Sequence, residues 1–344
     1  DEIYMSRCLQ LAQRAAGNGA PNPMVGAVLV HNDVIIGEGW HQQYGKAHAE
    51  VNCLQNVSES NKSLIDKSTL YVSLEPCAHF GKTPPCTDLI IANKIPRVVV
   101  GCMDYHAVVN GKGIEKLRGA GVDVTLGVMQ KEALRLNQRF FTFQQKRRPY
   151  IVLKWAQSLD GKIAKKDHKR VLISNDYTNR LVHRWRSEEA AIMIGTNTAL
   201  YDNPNLTARL WPGKNPARVF LDSYLKIPST HHLMDGIVKT IVFNSKKEAI
   251  ENDLVFHKIN FGSQFLQSML RKLYSHNLQS VLVEGGAQLL QSFIDAGLWD
   301  EARVITNEAR VIGDGLSAPA LSSHQLIETN TYLSDFTRTY KPAA

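Results

Sequence analysis

The sequence predicts an α/β protein of two domains. Short apolar runs, such as residues 70–74, 98–101, 190–195 and 280–283, read as strands, and stretches with helical apolar spacing separate them. Alternation of this kind gives a layered fold, with helices packed on the faces of a sheet. The 344 residues exceed what one average domain needs. A polar, basic, proline-ended segment, Gln144-Gln145-Lys146-Arg147-Arg148-Pro149, reads as a linker and places the domains at residues 1–147 and 148–344.

In the first half, Ile3, Cys8, Leu11, Ala12 and Ala15 recur at helical spacing, predicting a helix over residues 3–17 that Gly17-Asn18-Gly19 ends. Residues 24–30 form an apolar strand, Asn32-Asp33 a hairpin turn, and residues 34–40 the returning strand. A helical pattern begins at His48. Residues 70–74 form a buried strand that delivers Glu75-Pro76-Cys77 at its C-terminal end, where ligands gather in open α/β sheets. A helix over 87–93, a strand over 98–101, a helix over 111–119 and a strand over 122–126 follow, and one helix over 129–145 closes the domain.

The second half opens with a strand over 150–156 and the turn Ser158-Leu159-Asp160-Gly161-Lys162. Next come a helix over 177–188, a strand over 190–195 and a turn at Asp202-Asn203-Pro204. Strands over 217–222, 239–243 and 254–257 lead to a helix over 265–275. The strand over 280–283 runs into Glu284-Gly285-Gly286 and a helix ending near 296, and a strand over 302–306 follows. No internal repeat relates the halves, and hairpins are few. Glycines between strand and helix let a ligand approach the backbone, and a helix N-terminus offers its amides to phosphate. A tight turn is the plainer reading, and the Gly-x-Gly-x-x-Gly pattern of a Rossmann domain is absent. Arg170, Arg186 and Arg209 are candidates for phosphate contacts, although each alone reads as a surface residue.

Lysine and arginine exceed aspartate and glutamate by 40 − 32 = 8, an excess that can attract a phosphorylated substrate or nucleic acid. The basic residues are scattered and the densest cluster, Lys146-Arg147-Arg148, is short, so no nucleic-acid partner is expected. Five cysteines, Cys8, Cys53, Cys77, Cys86 and Cys102, are too few and odd for a disulfide framework. With no signal pattern and no apolar run of membrane length, the expected location is the cytoplasm. The missing initiator Met reads as trimming of a few residues.

The strongest chemical signal is His48-Ala49-Glu50 with Glu75-Pro76-Cys77 and Gly81-Lys82-Thr83-Pro84-Pro85-Cys86. One imidazole and two thiols suit a tetrahedral zinc, leaving a fourth position for water. Glu50, two residues past the histidine, is placed to carry protons rather than to ligate, the logic of zinc deaminases. His79 leaves open a closed, four-ligand structural site. The cysteines are separated by eight residues where deaminases usually have two, so the loop between them is an insertion. Asn22, locked between Pro21 and Pro23, is a stiff polar group suited to a pyrimidine edge or to a plain turn.

Together with Pro21-Asn22-Pro23, these motifs resemble the family of bifunctional riboflavin-biosynthesis deaminase–reductases. In the second half the resemblance rests on Lys154 with Ser158-Leu159-Asp160-Gly161, Asp202-Asn203-Pro204 with Leu206-Thr207-Ala208-Arg209, Asp222-Ser223, and Val283-Glu284-Gly285-Gly286. It implies a cytidine-deaminase-like α/β/α domain followed by a dihydrofolate-reductase-like α/β domain. The implied reactions are zinc-dependent deamination of a phosphorylated ribosylaminopyrimidine, then NADPH-dependent reduction of its ribosyl group to ribityl. By the same resemblance, His48, Cys77 and Cys86 hold one zinc, Glu50 is catalytic, and Asn22 and His79 orient the pyrimidine. Cofactor positions are Ala156, Leu172, Thr198, Asp202, Ser223 and the run Gly286, Ala287, Gln288, Leu289, Leu290, Gln291 and Ser292. Substrate positions in the reductase are Lys154, Arg170, Arg186, Leu206, Arg209 and Glu284. Lys154 and Asp202 are the candidate proton donors, and a homo-oligomer is the expected assembly. Two departures stand out. Asp104-Tyr105-His106-Ala107 replaces a usual Asp-Pro-Asn-Pro, and Leu172 stands where the family often has Trp. The rival readings are a nucleobase or tRNA deaminase with a non-catalytic second domain, and a zinc-stabilised binding protein.

Overall fold

A computed structural model of the chain describes residues 1–17, 21–80, 84–105, 110–167 and 171–343. The chain divides into two compact units, Asp1–Arg147 and Arg148–Ala344.

The first unit contains, in order, α1 (Glu2–Gln13), β1 (Gly26–His31), β2 (Val34–Trp40), α2 (Ala49–Gln55), β3 (Thr69–Leu74), α3 (Cys86–Ala92), β4 (Arg97–Cys102), α4 (Lys112–Gly119), β5 (Asp123–Leu126), α5 (Gln130–Leu136) and α6 (Gln138–Lys146). Its sheet has the order β2-β1-β3-β4-β5; β1 runs antiparallel to both neighbours, and β3, β4 and β5 are parallel. Alternate strand residues supply two cores. Ala27, Leu29, Leu70, Val72, Val98 and Val100 pack against α2, α3 and α4, while Val28, Tyr71 and Val99 pack against α1. The result is an α/β/α sandwich. The left-handed pair Asn32 and Asp33, with φ of 45° and 61°, makes the expected hairpin turn. Gly39 lets α2 lie close on the sheet, because a Cβ there would stand 2.3 Å from Cys53 N and 2.6 Å from Ala49 O.

Two expectations for this unit are corrected. The first helix ends at Gln13 rather than near residue 17. The single closing helix is two, broken at Asn137. That side chain turns aside to accept from Met24 N at 2.8 Å and donate to Met24 O at 2.9 Å. These bonds tie the helical layer to the strand entry and satisfy backbone groups that the chain leaves unpaired ahead of β1.

The second unit contains β6 (Tyr150–Ser158), β7 (Lys162–Lys165), α7 (Asp176–Glu188), β8 (Ala191–Ile194), α8 (Thr196–Asp202), β9 (Ala217–Leu221), β10 (Thr240–Asn244), β11 (Ala249–Glu251), β12 (Leu254–Lys258), α9 (Phe265–Ser275), β13 (Ser280–Gly285), α10 (Ala287–Asp295), β14 (Glu301–Asn307), β15 (Gly315–Ser317), β16 (His324–Tyr332) and β17 (Asp335–Pro342). The order of the main sheet is β11-β12-β10-β9-β8-β13-β6-β14-β17-β16, parallel from β12 through β14 and antiparallel at both margins. A small sheet pairs β15 with β7. Helices α9 and α10 cover one face through Met269, Leu273, Leu290 and Phe293; α7 and α8 lie on the other through Trp185 and Ala199. Besides the expected β1–β2 hairpin, β11–β12 and β16–β17 form further antiparallel pairs. The β16–β17 pair was not anticipated at all.

Candidate active sites

In the first unit, three loops at one edge of the sheet converge. His48 is the N-cap of α2, with extended backbone at φ −72° and ψ 167°. Cys77 follows β3, and Cys86 opens α3 directly after Pro85. His48 Nδ1 lies 3.3 Å from Cys86 Sγ and 3.6 Å from Cys77 Sγ, and all three donor atoms fall within 4.8 Å of one another. A tetrahedral zinc at ordinary bond lengths holds N and S donors about 3.5 Å apart, so the set fits that ion. The Cys86 amide also donates to Cys77 Sγ at 3.3 Å. Hydrogen bonding from Cys86 is the chief cause that holds the Cys77 thiol well below its ordinary range, against the opposing effect of burial. His79 is exposed and stands outside the cluster, so the described residues offer three donors and not a closed knot.

Glu50, in the first turn of α2, is only 3 % exposed. Burial first, and then the charge of Cys77, raises its pKa, as suits a carboxyl that takes up and returns a proton. Asn22 Nδ2 donates to His41 Nε2 at 3.0 Å, and in that tautomer His41 Nδ1 donates to Ala47 O at 3.1 Å. The His41 ring meets His48 edge-on, with centroids 5.5 Å apart. His41 therefore orients Asn22 and backs a donor residue, and nothing in the sequence marks it.

Glu75 also has a task the sequence does not reveal. Its buried carboxylate accepts from Asp104 N (3.1 Å), Gly111 N (3.0 Å), Gly113 N (2.9 Å) and Ile114 N (3.4 Å). It clasps the start of α4 to the segment carrying Cys77. Gly113 permits the approach, since a Cβ there would meet Pro76 O at 2.0 Å. The departure at residues 104–107 begins at this clasp; His106 and Ala107 lie outside the described residues.

In the second unit the register of parallel strands builds the centre. Val283 pairs with Leu153, which brings Glu284 and Lys154 side by side on one face. Arg186 from α7 grips Glu284 with two bonds, Nε–Oε1 2.6 Å and Nη2–Oε2 2.7 Å, and Lys154 Nζ lies 3.6 Å from Oε2. Burial would raise the Glu284 carboxyl, but the Arg186 and Lys154 charges overcome it and hold it at about 2. Burial lowers the Lys154 ammonium. His183, which sequence reasoning missed as a lone histidine on a helix, is pushed down to about 4 by burial and then by the charges of Arg186 and Arg209. Arg209 thus belongs to the same neighbourhood. Two cations, Lys154 and Arg186, face the Glu284 carboxylate, and Arg209 adds positive charge beside His183, a field suited to an anion.

The residues expected to hold the cofactor lie on β6, on α8, past β9 and at the start of α10. Thr198 Oγ1 accepts from Gly286 N at 3.0 Å, fixing the turn between β13 and α10. No side chain caps the N-terminus of α10, so its first-turn amides suit a phosphate. The run from Gly286 to Ser292 divides: Gly286, Ala287 and Gln288 face outward, Leu289 and Leu290 point into the core, Gln291 pairs with the Ala320 backbone, and Ser292 bonds Leu289 O. Leu206 also buries its side chain, with a left-handed φ of 50° that leaves only its backbone for substrate. Ala156 lies on β6, Ser223 just past β9, and Asp202 at the end of α8. Leu172 is 68 % exposed, and Arg170 lies outside the described residues.

Residues 1–102 match the family described as the cytidine and deoxycytidylate deaminase zinc-binding region, and residues 149–335 match the RibD C-terminal domain. The chain is 41 % identical over 335 residues to the riboflavin biosynthesis protein RibD of Aquifex aeolicus, covering 96 % of this chain and 92 % of the relative. It is 35 % identical over 318 residues to RibD of Escherichia coli, covering 88 % and 86 % of the two chains. A Thermotoga maritima diaminohydroxyphosphoribosylaminopyrimidine deaminase/5-amino-6-(5-phosphoribosylamino)uracil reductase superposes with TM-score 0.92 at 35 % identity, covering 99 % of this chain and 98 % of the other. Fold and sites together define a zinc-dependent deaminase of the cytidine-deaminase class joined to a reductase of the dihydrofolate-reductase class. More particularly, the chain belongs to the RibD family of bifunctional riboflavin-biosynthesis enzymes.

Proposed function

We propose that unit one deaminates 2,5-diamino-6-(5-phosphoribosylamino)pyrimidin-4(3H)-one and that unit two reduces the resulting 5-amino-6-(5-phosphoribosylamino)uracil. The observation that carries this reading is the convergence of His48, Cys77 and Cys86 on one point with Glu50 buried beside them. Zinc, when bound there, supplies the Lewis acidity that makes water nucleophilic near neutral pH. Glu50 takes the proton from water, delivers it to the ring nitrogen next to the amino-bearing carbon, and later protonates the amine that departs as ammonia. Asn22, oriented by His41, holds the pyrimidine edge, and His79 at the rim closes on it.

In the second unit, Glu284 and Lys154 face the ribosyl group, and Arg186, Arg209 and Arg170 serve its phosphate end. Leu206 contributes backbone contacts there. Thr198, Asp202, Ser223, Ala156, Leu172 and the first turn of α10 would hold NADPH, which would supply the hydride for reduction at C1 of the ring-opened sugar. Lys154 is the better placed of the two proton donors. It is buried against Glu284, and burial weakens its hold on the proton; Asp202 sits exposed at the end of α8. A cytoplasmic location agrees with five free cysteines, and no helix among the described residues is long and apolar enough to cross a membrane. The exposed edge strand β16 supports self-association as a homo-oligomer.

The test is Glu50→Gln. The variant retains zinc, stops releasing ammonia, and still oxidises NADPH on supplied intermediate. Loss of both activities in a folded, zinc-loaded protein would refute the two-site assignment.

A further inference from the structure

Residues 203–209, the loop that carries Leu206 and Arg209, are bent by two left-handed residues, Asn203 at φ 39° and Leu206 at φ 50°. Asparagine takes that conformation readily, because its short polar side chain bonds to backbone nearby. Here Asn203 Oδ1 accepts from His232 N at 2.8 Å, and Asn203 O accepts from His232 Nδ1 at 3.0 Å. Leucine has no such help and stays left-handed only where its surroundings hold it there.

The restraint comes from a buried arginine. Arg218 stands in β9 between Ile192 of β8 and Thr240 of β10 and is 1 % exposed. A guanidinium buried in this way is unfavourable unless its donors find acceptors. Arg218 Nε donates to Asn205 O at 3.0 Å, Nη1 to His232 O at 2.9 Å and to Asp235 Oδ1 at 2.6 Å, and Nη2 to Asp235 Oδ2 at 3.4 Å. Asn205 O belongs to the peptide group that enters Leu206. The Arg218 bond therefore fixes the plane from which Leu206 turns, while the Leu206 side chain is buried in one cluster with Phe220 and Leu233. The limb after Leu206 is held separately. Arg186 Nη1 donates to Thr207 O at 3.2 Å, and Asn215 Oδ1 accepts from Ala208 N at 2.9 Å.

We infer that Arg218 is a positioning residue of the reductase centre: it keeps Leu206 left-handed, so that the Leu206 backbone and the Arg209 side chain meet the phosphorylated ribosyl group in one fixed arrangement. This rests on the substrate reading of Leu206 and Arg209 given above and adds a residue buried away from the substrate. Without the bond to Asn205 O the peptide group turns, Leu206 relaxes to a negative φ, and the loop must be reordered each time substrate binds. The loss falls on substrate binding. The Thr198–Gly286 bond that shapes the α10 turn involves none of these groups, so cofactor binding is spared.

Steady-state reduction of 5-amino-6-(5-phosphoribosylamino)uracil by the zinc-loaded full chain at saturating NADPH tests this, with NADPH affinity measured separately by calorimetry. Arg218→Met raises the substrate KM about tenfold, the scale of one hydrogen bond from a charged donor, and leaves kcat and the NADPH Kd at their wild-type values. Arg218→Lys recovers part of that loss, because an ammonium can still serve one carbonyl. Asp235 lies at the surface, so Asp235→Ala loosens the guanidinium without opening the core and raises KM about threefold. That variant decides the matter if Arg218→Met does not fold. An unchanged KM in the deciding variant overturns the proposal. Equal losses in kcat, KM and NADPH binding also overturn it, because they mark a merely structural role. A wild-type chain that does not oxidise NADPH on this substrate would instead overturn the reductase reading, and this proposal with it.

Discussion

Glu284 shows how one buried carboxylate can organise a centre. Its partners Lys154 and Arg186 are themselves largely withdrawn from water, so removing its charge strands two cations. Glu284→Gln is expected to destabilise the second unit by about 3–5 kcal/mol, read as a lower denaturant midpoint, with zinc content unchanged. His183 gives the pH dependence. Its folded pKa of about 4 lies below the ordinary 6.5, so between those values the unfolded chain binds a proton that the folded chain does not. Stability therefore rises with pH across that window and is lost as pH falls through it. The His183 ring resonances should report a neutral imidazole at pH 5.5, and His183→Gln should flatten the stability profile between these limits. The clustering of His48, Cys77 and Cys86 was legible in the sequence because zinc accepts few residue types at few spacings. His41 and His183 were not, because a lone histidine takes its role from neighbours that only the fold supplies.

Among the elements, the strand–helix alternation was readable wherever a strand is buried on both faces, as in β4, β8 and β13, whose apolar runs are continuous. Strand β16 is largely exposed on both faces, so it has no apolar period to detect. The break between α5 and α6 was hidden for a different reason. Asn137 interrupts the helix to serve Met24, 113 residues away, and no local pattern records so distant a partner. Asn137→Ala leaves the Met24 amide and carbonyl without partners and is expected to cost about 1–3 kcal/mol, seen as a lower melting temperature of the first unit. An unchanged melting temperature would show that the two helices end at residue 137 for another reason.

As a whole molecule, the chain has two compact units, each with apolar clusters of its own large enough to support a cooperative transition. Calorimetry should resolve them by ligand. A zinc chelator is expected to lower the transition of the first unit, and NADPH at a hundredfold excess over its Kd to raise that of the second by about 2.7 kcal/mol. A chelator that lowered the transition NADPH raises would reverse the assignment of metal and cofactor to the units. The two centres also differ in how far apart their parts lie along the chain. The candidate metal donors fall between His48 and Cys86, whereas the reductase cluster joins Lys154 and Glu284 on neighbouring strands with Arg186 from α7. On the ribosome, where N-terminal segments fold first, the nascent polypeptide exposes every metal donor long before Glu284 has been translated. Zinc capture can then begin during synthesis, while reducing power must await the last fifth of the message.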